Sequence, residues 1–309
     1  MSAPAILVED LHKSYGTTHA VRGIDLAVGP GETFGFLGPN GAGKSTTISM
    51  LTTLVRPTAG RIEIAGLDVQ KVPTRVRKLL GLVFQESTLD GELTAAENLR
   101  FHADLYAVPR AQVKQRITQM LQLVGLLERE HDVAGTFSGG MRRRLEIARG
   151  LLHRPRVLFL DEPTVGLDPQ TRNGVWEHLR RVRESEGTTL FLTTHYLDEA
   201  EQCDRIAIID DGRIVAQGTP DALKAVIGAD LVQLRTGDDG SAVRAVREKF
   251  GLDAELAGER RAGLRIRAKD GARLVPRLCA GLDVPVFEVS VTRPSLDDVF
   301  MHHTGRRIR

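Results

Sequence analysis

The chain has 309 residues, 41% hydrophobic and 27% charged, with a formal net charge of +2. That length holds one large domain and a small one, and a composition this ordinary fits neither a disordered nor a fibrous class. The near-neutral charge argues against a nucleic-acid partner, and no apolar stretch approaches the ~20 residues that span a bilayer.

Residues 1–10 lack the basic and apolar segments of a secretory signal, and Cys203 and Cys279 suit neither a metal site nor a disulfide framework, so a reducing compartment is expected. Short β-rich runs follow at 6–9, 24–28, 32–37 and 61–66, with glycine-marked turns. Between the third and fourth runs stands Gly38-Pro39-Asn40-Gly41-Ala42-Gly43-Lys44-Ser45, leading into a helix that begins near Thr46. The strand, glycine loop and helix form a phosphate cradle: backbone N–H groups converge on phosphate oxygens, Lys44 reaches the β/γ-phosphates, and Ser45 is left to ligate Mg²⁺. From about Ala95 apolar residues recur at three- and four-residue steps (Leu99, Ala103, Tyr106, Ala107, then Val113, Ile117, Leu121, Val124), predicting a helical insert over about 86–152.

Runs 157–160, 189–193 and 206–209 are continuously apolar, as in strands covered on both faces, and a helical stretch at 170–184 makes the first two a βαβ unit of a parallel sheet. The first run ends in Asp161-Glu162, at the sheet edge where open parallel sheets bind ligands. Asp161 is placed to hold Mg²⁺ directly or through water, and Glu162 to polarise the water that attacks the γ-phosphate. Asp210-Asp211-Gly212 is a hairpin turn, Trp176 is core, and Arg142-Arg143-Arg144 and the terminal 306–309 run are solvated. From about 229 a second set of alternating strands and short helices, without a phosphate motif, predicts a small accessory or regulatory α+β domain (229–309) after a first domain at 1–228. It closes on a capped helix after Ser295.

Ser138-Gly139-Gly140 opening a helix is, taken alone, an ordinary cap. Between the glycine loop and the Asp-Glu strand it makes a set that resembles the nucleotide-binding subunit of ABC transporters over roughly residues 5–220. The resemblance implies an α/β fold: a P-loop ATPase cassette with an antiparallel β subdomain and a helical subdomain, plus the small C-terminal α+β domain. It implies ATP and Mg²⁺ as ligands. Tyr15 falls where an aromatic stacks on adenine, and Gln85 where a glutamine contacts Mg²⁺ and the attacking water and senses the membrane partner. Asp168 falls in the loop crossing the dimer interface, and His195 where a histidine holds the γ-phosphate and positions Glu162. Met141 departs from the commoner glutamine of this motif, leaving Ser138, Gly139 and Gly140 intact for phosphate binding. Residues 138–144, 193–200 and 295–305 extend the likeness to the daunorubicin-resistance type of ATP-binding subunit. The resemblance therefore implies a head-to-tail homodimer that hydrolyses ATP at the cytoplasmic face of the membrane. Peripheral to the bilayer, that dimer would power export of a hydrophobic drug, antibiotic or lipid through separate ABC-2-type integral membrane permease subunits. The alternative is a non-transport ATPase of the same superfamily acting on ribosomes or DNA.

Overall fold

In the computed structural model, which describes residues 3–228, 230–256 and 263–306, strand β1 (Ile6–Tyr15) pairs antiparallel with β2 (Thr18–Val28), from Ile6 against Val28 to Tyr15 against Thr18. Both outrun the apolar runs seen in sequence, because backbone pairing around the turn at Gly16 (φ 58°) carries their polar outer halves. Strand β3 (Thr33–Leu37) is buried throughout and feeds the glycine loop, after which helix α1 (Lys44–Leu51) begins at Gly43. A Cβ on Gly43 (φ 106°) would stand 2.5 Å from the Ala20 carbonyl oxygen, so only glycine fits. Strands β4 (Ala59–Ile64) and β5 (Leu67–Asp68) complete a sheet ordered β2-β1-β4-β5; helix α2 (Pro73–Arg77) then leads to β6 (Leu80–Val83).

The expected helical insert comprises α3 (Ala95–Leu105), α4 (Arg110–Leu123) and α5 (Gly139–Leu151). A capping box between Thr94 and Glu97 starts α3. Its end departs from the periodicity: Tyr106 caps the helix and Ala107 takes φ 54°, because Pro109 forbids another turn. Helix α5 starts on the Ser138 cap and buries Leu145, Ile147, Ala148 and Leu151.

Strands β7 (Val157–Asp161), β8 (Thr189–Thr194) and β9 (Arg205–Asp210) join β3 and β6 in a parallel sheet, with α6 (Pro169–Glu186) and α7 (Leu197–Ala200) as connections and β10 (Arg213–Gly218) antiparallel at the edge. The order is β10-β9-β3-β8-β7-β6. Asp211 (φ 46°) and Gly212 (φ 75°) make the expected β9–β10 turn, with the two positive φ values of a type I′ hairpin. Between the two sheets Phe191 lies fully buried against Phe34, Phe36 and Phe159, at ring separations of 5.6, 5.8 and 5.4 Å. Trp176 on α6 is buried as expected.

A second compact unit begins at Pro220. Helix α8 (Pro220–Ile227), expected to end the first domain, lies in this unit and packs on the last helix. The unit continues through β11 (Asp230–Thr236), α9 (Asp239–Phe250), β12 (Ala254–Leu256), β13 (Leu264–Ala268), α10 (Gly271–Gly281), β14 (Val286–Thr292) and α11 (Leu296–Thr304). Its antiparallel sheet is ordered β12-β13-β11-β14, the split βαβ arrangement of ferredoxin-like folds. Ser295 and Asp298 form a capping box at α11, which buries Leu296, Val299 and Phe300. Of the terminal basic run, residues 307–309 lie outside the described residues.

Phe191→Ala should lower unfolding free energy by about 3–5 kcal/mol, read by denaturant titration of the fluorescence of Trp176, the single tryptophan; a loss under about 1 kcal/mol would show that the phenylalanine cluster does not join the two sheets.

Candidate active site

In-register parallel pairing sets Leu37 beside Thr194 and Asp161 beside Thr193, so the ends of β3, β8 and β7 meet at one edge. The glycine loop folds over that edge. The Lys44 ammonium, 5% exposed, donates to the carbonyls of Gly38 (2.8 Å) and Pro39 (3.1 Å) and lies 3.2 Å from Glu162 Oε1. A buried pair of this kind holds because the loop carbonyls satisfy the remaining ammonium hydrogens. Ser45 Oγ donates to Asp161 Oδ1 at 3.3 Å, and Thr193 Oγ1 donates to the same oxygen at 2.5 Å.

Glu162 is buried and has φ 44°, a left-handed conformation that costs a non-glycine residue about 1–3 kcal/mol. Its N–H donates to Thr193 Oγ1 at 3.0 Å, so one buried hydroxyl orients both carboxylate residues. His195 Nδ1 lies 3.3 Å from Glu162 Oε1, without hydrogen-bond geometry. The His195 ring packs on Tyr196 at 4.2 Å, and the Arg172 guanidinium lies over the Tyr196 ring, 4.0 Å from its centroid. Behind Glu162, Thr164 Oγ1 donates to the buried carboxylate of Glu199.

A cavity of about 570 Å³ opens here, lined by Asn40, Gly41, Gly43, Lys44, Ser45, Thr46, Gln85, Glu162 and His195, with Ala20 and Val165. Among the described residues no cluster of three or more His, Cys, Asp or Glu side chains could hold a metal. The oxygen donors of Ser45, Asp161 and Gln85 suit a hard cation that takes few protein ligands and completes its shell with phosphate and water.

Other expected residues lie apart from this cavity within the chain. Tyr15 is half exposed, with Lys13 Nζ 4.8 Å from its ring centroid. Ser138 and Gly139 are exposed, and Ser138 Oγ accepts from the Met141 N–H at 3.3 Å. Gly140 is buried against α6, where a Cβ would stand 2.2 Å from Thr171 Cγ2. Asp168 is exposed and caps α6; the Thr171 hydroxyl and then its N–H hold the carboxyl below the usual carboxylate range.

The structure corrects the solvated reading of the arginine run. Arg143 is 6% exposed and donates to the carbonyls of Phe84 (2.5 Å), Pro163 (2.5 Å) and Asp161 (3.1 Å) and to Glu146 (3.1 Å). Burial pulls its guanidinium below the usual value, with the Glu146 charge opposing. Arg142 and Arg144 likewise reach the carbonyls of Phe137 (2.5 Å) and Val124 (2.9 Å). A run of like charges suggests water, yet Arg143, Glu146, Ile147 and Gly150 recur at the i, i+3, i+4, i+7 spacing of one helix face, and all four are buried. That spacing is the signal in the sequence that points inward.

Beside the Gln85 segment a second cavity, of about 450 Å³, has an apolar lining that includes Leu80, Leu82, Phe84, Phe101 and Leu105, with Arg77, Arg149, His102 and Tyr106 at its polar side. Phe101 and Leu105 are about two-thirds exposed. The rings of His102, Tyr106 and His153 cluster, Tyr106 lying 4.6 Å from His102 and 3.8 Å from His153, and the two histidines 5.8 Å from each other. Burial, aided by Arg149, lowers His102 to about 3; burial, with the Arg116 charge, lowers His153 to about 4, although its hydrogen bond with the Leu80 carbonyl opposes this.

With this geometry established, the comparisons agree on one family. The ABC transporter family model matches residues 21–165. The daunorubicin resistance ATP-binding protein DrrA2 of Streptomyces coeruleorubidus is 40% identical over 99% of this chain and 97% of its own length. The linearmycin resistance ATP-binding protein LnrL of Bacillus subtilis (strain 168) is 39% identical over 97% of this chain and 98% of its own. Among solved structures, cbiO1 from Clostridium perfringens has a TM-score of 0.68 at 27% identity, covering 81% of this chain and 97% of that one.

Because folding lowers both histidine proton affinities, the unfolded chain binds more protons below its ordinary histidine value near 6.5. Stability present above that pH should therefore fall as pH drops from 6.5 toward 4. In equilibrium unfolding across this range, His153→Gln should flatten the pH dependence relative to the wild type; parallel curves would contradict a neutral buried His153.

Proposed function

The chain belongs to the ATP-binding subunits of ABC transporters, and from that premise we propose that it hydrolyses ATP with Mg²⁺ to power export of a hydrophobic drug, antibiotic or lipid through separate membrane-spanning subunits. The observation that carries the reading is the meeting of Lys44, Ser45, Gln85, Glu162 and His195 around one cavity, with Asp161 hydrogen-bonded to Ser45. Export follows from relatives of nearly full-length match whose names record resistance to daunorubicin and linearmycin and from another, in Ralstonia nicotianae, named for Nod factor export. Those matches leave the ribosome- or DNA-directed alternative without support.

In this reading the loop N–H groups between Gly38 and Thr46 wrap the phosphates, Lys44 leaves Glu162 for the β/γ-phosphates, and Tyr15 offers its exposed ring to adenine. Ser45, Asp161 and Gln85 would hold Mg²⁺, which when bound neutralises phosphate charge. Glu162, released by Lys44, orients the attacking water, and His195 holds the γ-phosphate and keeps Glu162 in place. Ser138, Gly139 and Gly140, with Asp168, serve the site of a second copy, giving a head-to-tail homodimer that closes on ATP and opens after hydrolysis. The exposure of Ser138, Gly139 and Asp168, with a cap that leaves the α5 N-terminus facing outward, supports that assignment.

No helix among the described residues is long and apolar enough to cross a membrane. We place the subunit peripherally at the cytoplasmic face, against ABC-2-type permease subunits. The apolar cavity beside Gln85 is the permease's docking surface: Phe84 and Thr88 line it, while Gln85 between them lines the ATP cavity, so one short segment touches both. The C-terminal unit takes an accessory role.

Glu162→Gln should retain ATP binding, lower turnover by at least about 100-fold and trap an ATP-bound dimer in size-exclusion chromatography; hydrolysis near the wild-type rate would overturn the assignment of Glu162. Phe101→Asp combined with Leu105→Asp should leave the melting temperature unchanged and abolish recovery of a multi-span protein when the tagged chain is purified from detergent-solubilised membranes. Undiminished recovery would place the permease elsewhere.

A further inference from the structure

We infer that Arg143 is a positioning residue for hydrolysis, a side chain through which helix α5 and the Gln85 segment hold Glu162 in its reactive conformation. Its guanidinium donates to Asp161 O (3.1 Å) and Pro163 O (2.5 Å), the carbonyls immediately before and after Glu162. It also donates to Phe84 O at 2.5 Å, one residue before Gln85. Its fourth partner, Glu146, uses its other oxygen to accept from the Thr88 N–H at 3.0 Å, fastening the far end of the same segment. One buried pair on α5 therefore fixes the backbone on both sides of Glu162 and on both sides of Gln85.

Glu162 needs such a brace. Its φ of 44° is one that a side-chain-bearing residue keeps only where the surroundings over-determine it. Thr193 Oγ1 fixes its N–H, and Arg143 fixes the two flanking carbonyls. The requirement is for a planar fork with several donors in fixed directions, which guanidinium supplies and an ammonium does not. Because α5 begins at the Ser138 turn, the same side chain links three places: the turn assigned to the dimer interface, the segment assigned to the permease, and the residue assigned to water activation.

This inference rests on Glu162 as the water-activating group, and that reading is tested separately by Glu162→Gln alone. The full-length chain would be compared as wild type, Arg143→Lys, Arg143→Met, Glu162→Gln and the Arg143→Lys/Glu162→Gln double variant. Readouts are thermal melting, binding of a fluorescent ATP analogue, and steady-state and single-turnover hydrolysis of radiolabelled ATP. Arg143→Lys should melt close to the wild type, bind the analogue within about threefold, and lose about tenfold or more in kcat with little change in KM. Arg143→Met should lose more. In the Glu162→Gln background Arg143→Lys should change residual turnover little, because the brace acts through the side chain already removed. A wild-type kcat in Arg143→Lys would overturn the inference. So would a tenfold loss repeated in the Glu162→Gln background, which marks a general structural role. If Arg143→Met does not fold, Arg143→Lys and the double variant still decide. If Glu162→Gln itself retains turnover, the reading of Glu162 fails, whatever Arg143 does.

Discussion

The parallel register of β3, β8 and β7 is the constraint on which everything else rests. It brings Leu37, Thr194 and Asp161 to a common edge and obliges the chain to leave the sheet there three times: into the glycine loop, past His195, and through Glu162. Such strands are covered on both faces, so their ends are where polar groups can gather without crossing the core. Behind the edge the packed rings of Phe34, Phe36, Phe159 and Phe191 make the platform stiff. A site whose parts come from distant stretches of chain keeps its distances only on a rigid support.

At that edge the charges satisfy one another. Lys44 and Glu162 form a buried pair, the loop carbonyls take up the remaining ammonium hydrogens, and the Thr193 hydroxyl serves Asp161 and the Glu162 N–H together. On the function proposed above, phosphate would compete with Glu162 for the Lys44 ammonium, coupling occupancy of the site to the freedom of that carboxylate. Arg143 extends the same pattern outward. A charge this deeply buried is tolerable because carbonyls and Glu146 surround it, and those carbonyls belong to the segments on either side of Glu162 and just before Gln85.

Much of this is legible in the amino-acid sequence. The loop from Gly38 to Ser45, the apolar strand ending in Asp161-Glu162 and the Ser138 cap are local patterns, and local backbone and hydrogen-bond chemistry dictates them. The helical insert is visible for the same reason, since its buried face repeats at helical spacing. The hidden parts are of another kind. The outer half of β1 and β2 is polar and exists because the strands pair with each other. Arg143 sits in a run of like charges, and only the packing of α5 beneath the carbonyls of Phe84, Asp161 and Pro163 turns it inward. Thr193 is one threonine among several until β8 places it between two carboxylate residues. Helix α8 reads as the end of the first domain because it follows it in sequence, yet it packs on α11.

By itself, then, the sequence determined the chemistry available: which residues can wrap phosphate, hold a hard cation or polarise water, and in which elements they stand. Those are properties of residue types at short spacing, where steric and hydrogen-bonding rules act within a few residues. Only the tertiary structure decided which of them share a cavity, which glycine a neighbouring helix presses on, as at Gly140 against Thr171, and which arginine turns inward to the backbone around Glu162. Those outcomes depend on contacts between stretches far apart in the chain, and burial energy, not local propensity, selects among them.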